Sequence, residues 1–210
     1  MIRESKLGQW YLTWVERVPI SILAQTSLKP NHLTYLGFIA GLLTIPAYGY
    51  TLWLGGLAVL VSGFIDTLDG SLARKTGQKT KSGAFLDSVF DRYSDFSIVL
   101  GIWVYYRLHS HPWPSLIVLI LFLFLSGSFL VSYARARGEG LGVSAQLGLF
   151  SRGERVVVLG LGSIINDLLM AFFPVVPGFP DGILWFLLIL LALGTHLTAL
   201  QRIIYLSKRL

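Results

Sequence analysis

Six long apolar runs govern what this chain can fold into. A bilayer-spanning helix needs about 20 mostly apolar residues. Segments of that kind cover residues 32–53, 55–75, 83–106, 113–136, 154–174 and 182–206 of the 210. They leave little chain over, so the sequence predicts a single all-α membrane domain spanning 1–210, with no separate soluble domain. Ahead of the first run, residues 8–27 mix Trp10, Tyr11, Leu12, Trp14, Val15, Ile20 and Leu23 with Glu16 and Arg17. That mixture predicts an amphipathic helix lying in the membrane interface. The layout is therefore an interfacial helix over 1–28 and a six-helix transmembrane bundle over 29–210. Arg3, Glu4 and Lys6 are followed by no apolar core and cleavage site of the kind a signal peptide carries.

Charge is sparse and lopsided. Only 13% of residues are charged, against about a quarter in soluble domains, yet the net charge is +6. With both termini cytoplasmic, sixteen of the seventeen Lys and Arg residues fall on or near that side, and only Arg107 lies opposite. This is the positive-inside pattern, so both termini are expected in the cytoplasm of a multi-pass cell-membrane protein. No soluble basic face exists for nucleic acid. The absence of cysteine excludes disulfides and thiolate metal sites.

Against this background, residues 66–91, DTLDGSLARKTGQKTKSGAFLDSVFD, place four carboxylates within the apolar runs. Asp66 and Asp69 are three apart, and Asp87 and Asp91 four apart. On helices each pair shares a face. At about 1.5 Å per residue, Asp66 and Asp69 sit about 8–12 Å inside the end near Arg74. Asp87 and Asp91 sit about 8–14 Å inside the end that starts at Ser82. A short connection makes the two helices antiparallel neighbours, so all four acids converge just below the cytoplasmic surface. Four anions in low dielectric repel one another, and Arg92 is the nearest cation in sequence. A divalent metal cluster answers the repulsion, and oxygen-only ligands favour Mg²⁺, Mn²⁺ or Ca²⁺ over zinc. Two such ions suit displacement at phosphorus. Between the pairs, Gly70, Ala73 and Gly83 leave room for a ligand. Arg74 can contact phosphate, Lys75, Lys79 and Lys81 add positive field, and Thr80 and Ser82 offer hydroxyls.

Spaced as Asp66-x₂-Asp69-Gly70-x₂-Ala73-Arg74-x₈-Gly83-x₃-Asp87-x₃-Asp91, this stretch resembles the signature of the CDP-alcohol phosphotransferase family. LKPNHLTYLG, residues 28–37, is similar to the element that opens that family's first membrane helix. The resemblance implies transfer of a substituted phosphate from a CDP-linked lipid to an alcohol, with release of CMP. It implies that Asp66, Asp69, Asp87 and Asp91 hold two metal ions, Mg²⁺ or Mn²⁺. Asp91 would also be the general base. It implies that Gly70, Arg74 and Thr80 contact the CDP moiety, with Asn31, Ala73 and Gly83 beside them. It also implies a homodimer, for which the residues themselves offer only small positions such as Gly37 and Gly41.

For the acceptor, SYARARGEGLGVSAQLGLFSRGERVVVLG, residues 132–160, is informative. Arg135 and Arg137 close the fourth helix, and Arg152 and Arg155 open the fifth, both ends facing the acids. Four arginines suit an acceptor carrying its own phosphate. The stretch is similar to the branch that makes phosphatidylinositol phosphate or archaetidylinositol phosphate from inositol 1-phosphate. Arg135 stands where that branch often has Lys, and Ser151-Arg152 where it often has Glu-Arg. Glycerol 3-phosphate is the next candidate acceptor.

Several polar residues are not assigned to the site. Asp95 continues the Asp87–Asp91 face and is read as structural, with Arg92 as one partner. His32, His109, His111 and His196 are read as interfacial, loop or core histidines. Asn166 and Asp167 lie toward the outer end of the fifth helix, where Asp167 can mark a helix terminus. A divalent-cation or proton-coupled transporter is the alternative of another class, because intramembrane acids also mark ion pathways. Against it, the acids cluster in one hairpin, and neither an internal repeat nor a pair of broken helices is visible.

Overall fold

The computed structural model describes residues 5–109, 112–145, 147–172 and 181–210, and all regular elements among them are helices. Arg3, Glu4 and His111, discussed above from the sequence, lie outside the described residues. Helix α1 (Lys6–Arg17) begins where the Ser5 hydroxyl accepts a hydrogen bond from Gly8 N, an N-cap. A short α2 (Pro19–Leu23) follows. Val15 of α1 and Ile20 of α2 are buried with Leu33, Leu68 and Leu72, which docks this N-terminal unit on the acid-bearing end of the bundle. Trp10 stays 68% exposed.

The first apolar run is not one helix. It forms α3 (Pro30–Leu42) and α4 (Thr44–Tyr50), broken at Leu43. Pro46 explains the break: it has no N–H for the carbonyl of Leu42, and its ring crowds that carbonyl. The Thr44 hydroxyl bonds the Gly41 carbonyl at 2.6 Å instead. Thr51 then caps α5 (Leu52–Lys75), its hydroxyl accepting from Leu54 N. The remaining helices are α6 (Lys81–Leu108), α7 (Pro114–Gly140), α8 (Arg152–Phe172) and α9 (Gly182–Ser207).

Among the described residues, five segments are long and apolar enough to cross a membrane: Pro30–Tyr50, Leu52–Lys75, Pro114–Gly140, Arg152–Phe172 and Gly182–Ser207. Helix α6, expected as a sixth, is about 42 Å long at 1.5 Å per residue. It falls short on composition alone, because Asp87, Asp91, Arg92 and Asp95 fall within its first fifteen residues. Apolar side chains such as Phe122, Phe186 and Leu193 stand exposed on the outside of α7 and α9, as a lipid-facing surface requires.

Packing departs from the sequence expectation in one respect that matters for the site. The two acid-bearing helices, α5 and α6, are not close neighbours. Helix α5 lies along α8 and α3, while α6 lies on α3 and α4 and touches α5 little. Carboxylates cannot be packed flush against one another, so the helices stay apart where the acids face. Helix α3 packs against both. A Cβ on Gly41 would meet Ser94 of α6 at 2.5 Å from Oγ and 3.1 Å from Cβ, and Ser62 of α5 at 3.4 Å, so glycine permits this approach where a side chain would force Ser94 aside. Gly37 and Gly41 thus both face helices of their own chain, Gly37 meeting Ile65 of α5.

The main apolar core, including Tyr48, Leu52, Ile102, Leu159, Leu184 and Leu191, fills the half of the bundle away from the acids. At that far end the polar residues cap helices. Trp53 N donates to Asp167 Oδ2 at 3.1 Å at the start of α5. Buried Asn166 donates to Asp181 and accepts from Leu184 N at the start of α9. Asp167 does mark a helix terminus, but that of α5 rather than its own.

Candidate active site

The last turns of α5 present Asp66 and Asp69, and the first turns of α6 present Asp87 and Asp91. One carboxylate oxygen from each of Asp66, Asp69 and Asp87 lies within 4.8 Å of the other two. Asp69 is only 5% exposed. The cavity they line is closed by Thr34, Gly37 and Phe38 of α3, Ser62 of α5, Phe90 and Ser94 of α6, and Arg152 of α8. Phe38 and Phe90 stack with ring centroids 4.3 Å apart, forming its wall between α3 and α6.

Arg152 is the cation that the structure sets among the acids. Its Nη1 lies 2.8 Å from Asp66 Oδ2 and 2.9 Å from Asp91 Oδ1. Arg92, the cation nearest in sequence, turns away. Its Nη1 donates to the Ser88 backbone carbonyl and hydroxyl and stays 3.9 Å from Asp91. Asp95 pairs with Arg155 at 2.7 Å and lies 3.7 Å from Arg152 Nε, not against Arg92. Five carboxylates thus face two largely buried guanidinia, an excess of negative charge in low dielectric. Oxygen-only donors that converge this closely are the set a hard divalent cation takes.

At the start of α6, ahead of Asp87, the Thr80 hydroxyl accepts from Gly83 N at 3.0 Å and caps the helix. A Cβ on Gly83 would stand 3.0 Å from Asn31 Oδ1, so the start of α3 meets the first turn of α6 here. On α5, Arg74 donates to Ser71 at 2.7 Å. A Cβ on Gly70 would meet only Arg74, at 3.5 Å, which leaves open space beside that turn. Ala73 is half-buried on the same helix end. His32 accepts from Lys29 N at 3.4 Å, a local contact at the start of α3.

The four arginines assigned to an acceptor do not form one cluster. Arg152 and Arg155 point into the acids. Arg135 and Arg137 are exposed at the end of α7, where Arg135 pairs with Glu139 at 2.8 Å. A further arginine escaped the sequence reading. Arg202 of α9 is buried and donates to the Leu147 carbonyl at 2.8 Å and the Val131 carbonyl at 2.7 Å. It lies within electrostatic reach of Arg135 and Arg155. Its signal was present: a cation within an otherwise apolar helix.

Comparison with known proteins gives the same answer from three directions. The profile of the CDP-alcohol phosphatidyltransferase family matches residues 27–208. The archaetidylinositol phosphate synthase of Methanothermobacter thermautotrophicus is 34% identical over 210 residues, covering 100% of this chain and 98% of the relative. The synthase of the same name from Pyrococcus horikoshii is 36% identical over 193 residues, covering 90% of this chain and 88% of the relative. The crystal structure of Mycobacterium tuberculosis phosphatidylinositol phosphate synthase with CDP-DAG bound superposes with a TM-score of 0.76 at 30% identity, covering 90% of this chain and 94% of that one. The same enzyme in complex with manganese and citrate gives 0.77 at 28% identity, over 91% and 88%. A multi-pass, all-helical chain of this likeness belongs to the CDP-alcohol phosphatidyltransferase family, transferases of substituted phosphate groups.

Proposed function

We propose that this chain transfers the phosphatidyl group of a CDP-linked lipid, diacyl or archaeal diether, to a hydroxyl of inositol 1-phosphate, giving phosphatidylinositol phosphate (or its archaeal counterpart) and CMP. The observation that carries the reading is the convergence of Asp66, Asp69 and Asp87 oxygens beside Asp91 and Arg152. The relatives' names favour the inositol-phosphate acceptor. Family membership sets the transporter alternative aside.

In this reading Asp66, Asp69, Asp87 and Asp91 hold two Mg²⁺ or Mn²⁺ ions. Ions held by these residues would supply electrostatic stabilisation of the donor's pyrophosphate and of the leaving CMP. Asp91 takes the proton of the acceptor hydroxyl as its oxygen bonds to the lipid-linked phosphorus and the pyrophosphate bond to CMP breaks. Asn31, Gly70, Ala73, Arg74, Thr80 and Gly83 receive the CDP end of the donor. The open turn at Gly70 and the Thr80–Gly83–Asn31 contact support that placement. Arg152 and Arg155 receive the acceptor's phosphate, while Arg135 and Arg137, exposed at the end of α7, add positive field at its approach, with Arg202 as a neighbour. Arg152 and Arg155, nearest the acids, contribute most.

The same reading treats residues 1–210 as one domain. Helix α6 is the sixth span, its acidic half facing the site rather than lipid. Helix α1 lies in the interface, an arrangement that its exposed Trp10 and Trp14 support. Both termini and the site face the cytoplasm, and the active form is a homodimer. The lipid donor enters sideways, between helices. The deciding experiment is CMP release by purified protein with a CDP-lipid and Mg²⁺, comparing inositol 1-phosphate, glycerol 3-phosphate, free inositol and serine. Release with inositol 1-phosphate alone is expected. Release with glycerol 3-phosphate alone, which the arginines would also accommodate, keeps the chemistry and overturns the acceptor.

A further inference from the structure

Asp95 lies one helical turn beyond Asp91 on the same face of α6, and neither is among the three acids whose oxygens converge. Its two oxygens serve two different arginines. Oδ2 lies 2.7 Å from Arg155 Nη2, and Oδ1 lies 3.7 Å from Arg152 Nε. Arg155 also donates through Nη1 to the Phe150 carbonyl at 3.1 Å, so it is fixed from two sides and 2% exposed. Arg152 is held less evenly. Its Nη1 is on Asp66 and Asp91, while its buried Nε has no hydrogen bond and stands just outside hydrogen-bond distance of Asp95.

This arrangement contains a conflict. Asp66 and Asp91 are claimed both by Arg152 and by the divalent cations of the reading above. Cations and guanidinium compete for the same oxygens. When the ions prevail, Arg152 must find another anion or become an uncompensated buried charge. Asp95 is placed to be that anion: nearly buried, engaged with Arg152 at longer range, outside the converging set and anchored by Arg155.

We propose that Asp95 is a positioning residue that draws Arg152 off Asp66 and Asp91 when metal binds and holds its guanidinium beside the cluster, facing the acceptor's phosphate. This rests on the metal-dependent, phosphorylated-acceptor reading given above. The chemistry requires a carboxylate. Asparagine has the same shape but offers one acceptor oxygen, and its amide would face a guanidinium donor with a donor. Glutamate keeps both oxygens and the charge.

The test uses full-length wild type, D95N, D95E, R152A and D95N/R152A. Mn²⁺ affinity is read by electron paramagnetic resonance, and KM is measured separately for acceptor and CDP-lipid. In D95N, Arg152 stays on Asp66 and Asp91, so Mn²⁺ binding weakens by about 10-fold and, at saturating Mn²⁺, the acceptor KM rises by about 10- to 100-fold, while the donor KM stays within about 2-fold. D95E recovers most of both. R152A removes the competing cation and binds Mn²⁺ more tightly than wild type. D95N/R152A matches R152A, because Asp95 acts through Arg152.

Three results overturn the proposal. One is wild-type Mn²⁺ affinity in D95N or in R152A, the latter deciding the point even where D95N fails to fold. Another is full additivity in the double variant, which means that Asp95 acts by its own field. The third is a uniform fall in all kinetic parameters and in thermal stability that D95E does not relieve. Should wild type use only an unphosphorylated acceptor, the acceptor reading fails by itself, and Mn²⁺ competition still decides the role of Asp95.

Discussion

Asp91 stands apart from its three companions. Asp66, Asp69 and Asp87 supply the converging oxygens, while Asp91 lies outside that set and shares Arg152 Nη1 with Asp66 at its edge. In the proposed reaction that edge is where the attacking hydroxyl arrives. Asp91→Asn keeps the shape and loses the base. Turnover is expected to fall by about 10²- to 10⁴-fold, the usual worth of general base catalysis, with CDP-lipid binding largely retained. Single-turnover CMP release alongside a donor-binding assay checks this, and undiminished release in the variant removes Asp91 from the base role. The acid pairs were legible in sequence because spacings of three and four fix a shared helix face. The end of α8 was read as facing the acids, but the direct pairing of Arg152 with Asp66 and Asp91 was not legible. Spacing along one helix says nothing about a residue on α8, so the sequence pointed to Arg92, whose guanidinium closes locally on Ser88.

Helix boundaries were legible to within a few residues, because apolar runs and caps are local signals. The run 55–75 became α5, Leu52–Lys75, once Thr51 is recognised as its cap. Two features of the elements were not legible. The break between α3 and α4 hid inside an uncharged run, where hydropathy is indifferent to Pro46. The separation of α5 from α6 hid behind their short connection, which constrains chain reach but not which faces pack. The far ends of the helices yield an independent prediction. Asp167 caps α5 from another helix, where a carboxylate also complements the positive helix N-terminus. Asp167→Ala is expected to cost about 0.5–2 kcal/mol, the range for lost N-caps. Thermal unfolding in detergent reads that loss, and the kinetic constants should stay at wild-type values, since the residue sits across the bundle from the acids.

The molecule as a whole divides into an apolar half and a polar half, with the site where the main core stops. Its lack of cysteine makes the orientation directly measurable. With both termini cytoplasmic, Lys208→Cys should react with an impermeant maleimide only from the cytoplasmic face, and Trp113→Cys only from the opposite face. The reverse pattern would invert the proposed topology. Fold class and reaction class were thus readable from local patterns, whereas the charge balance of the site was not, because it is assembled from distant parts of the chain. That distance has a consequence in time. A ribosome completes Asp91 and must add 61 more residues before Arg152 exists. Throughout that interval the nascent hairpin holds its four acids without the arginine that later sits among them. Water, headgroups or free cations must stand in until α8 is inserted, so the catalytic centre is finished only late in biosynthesis.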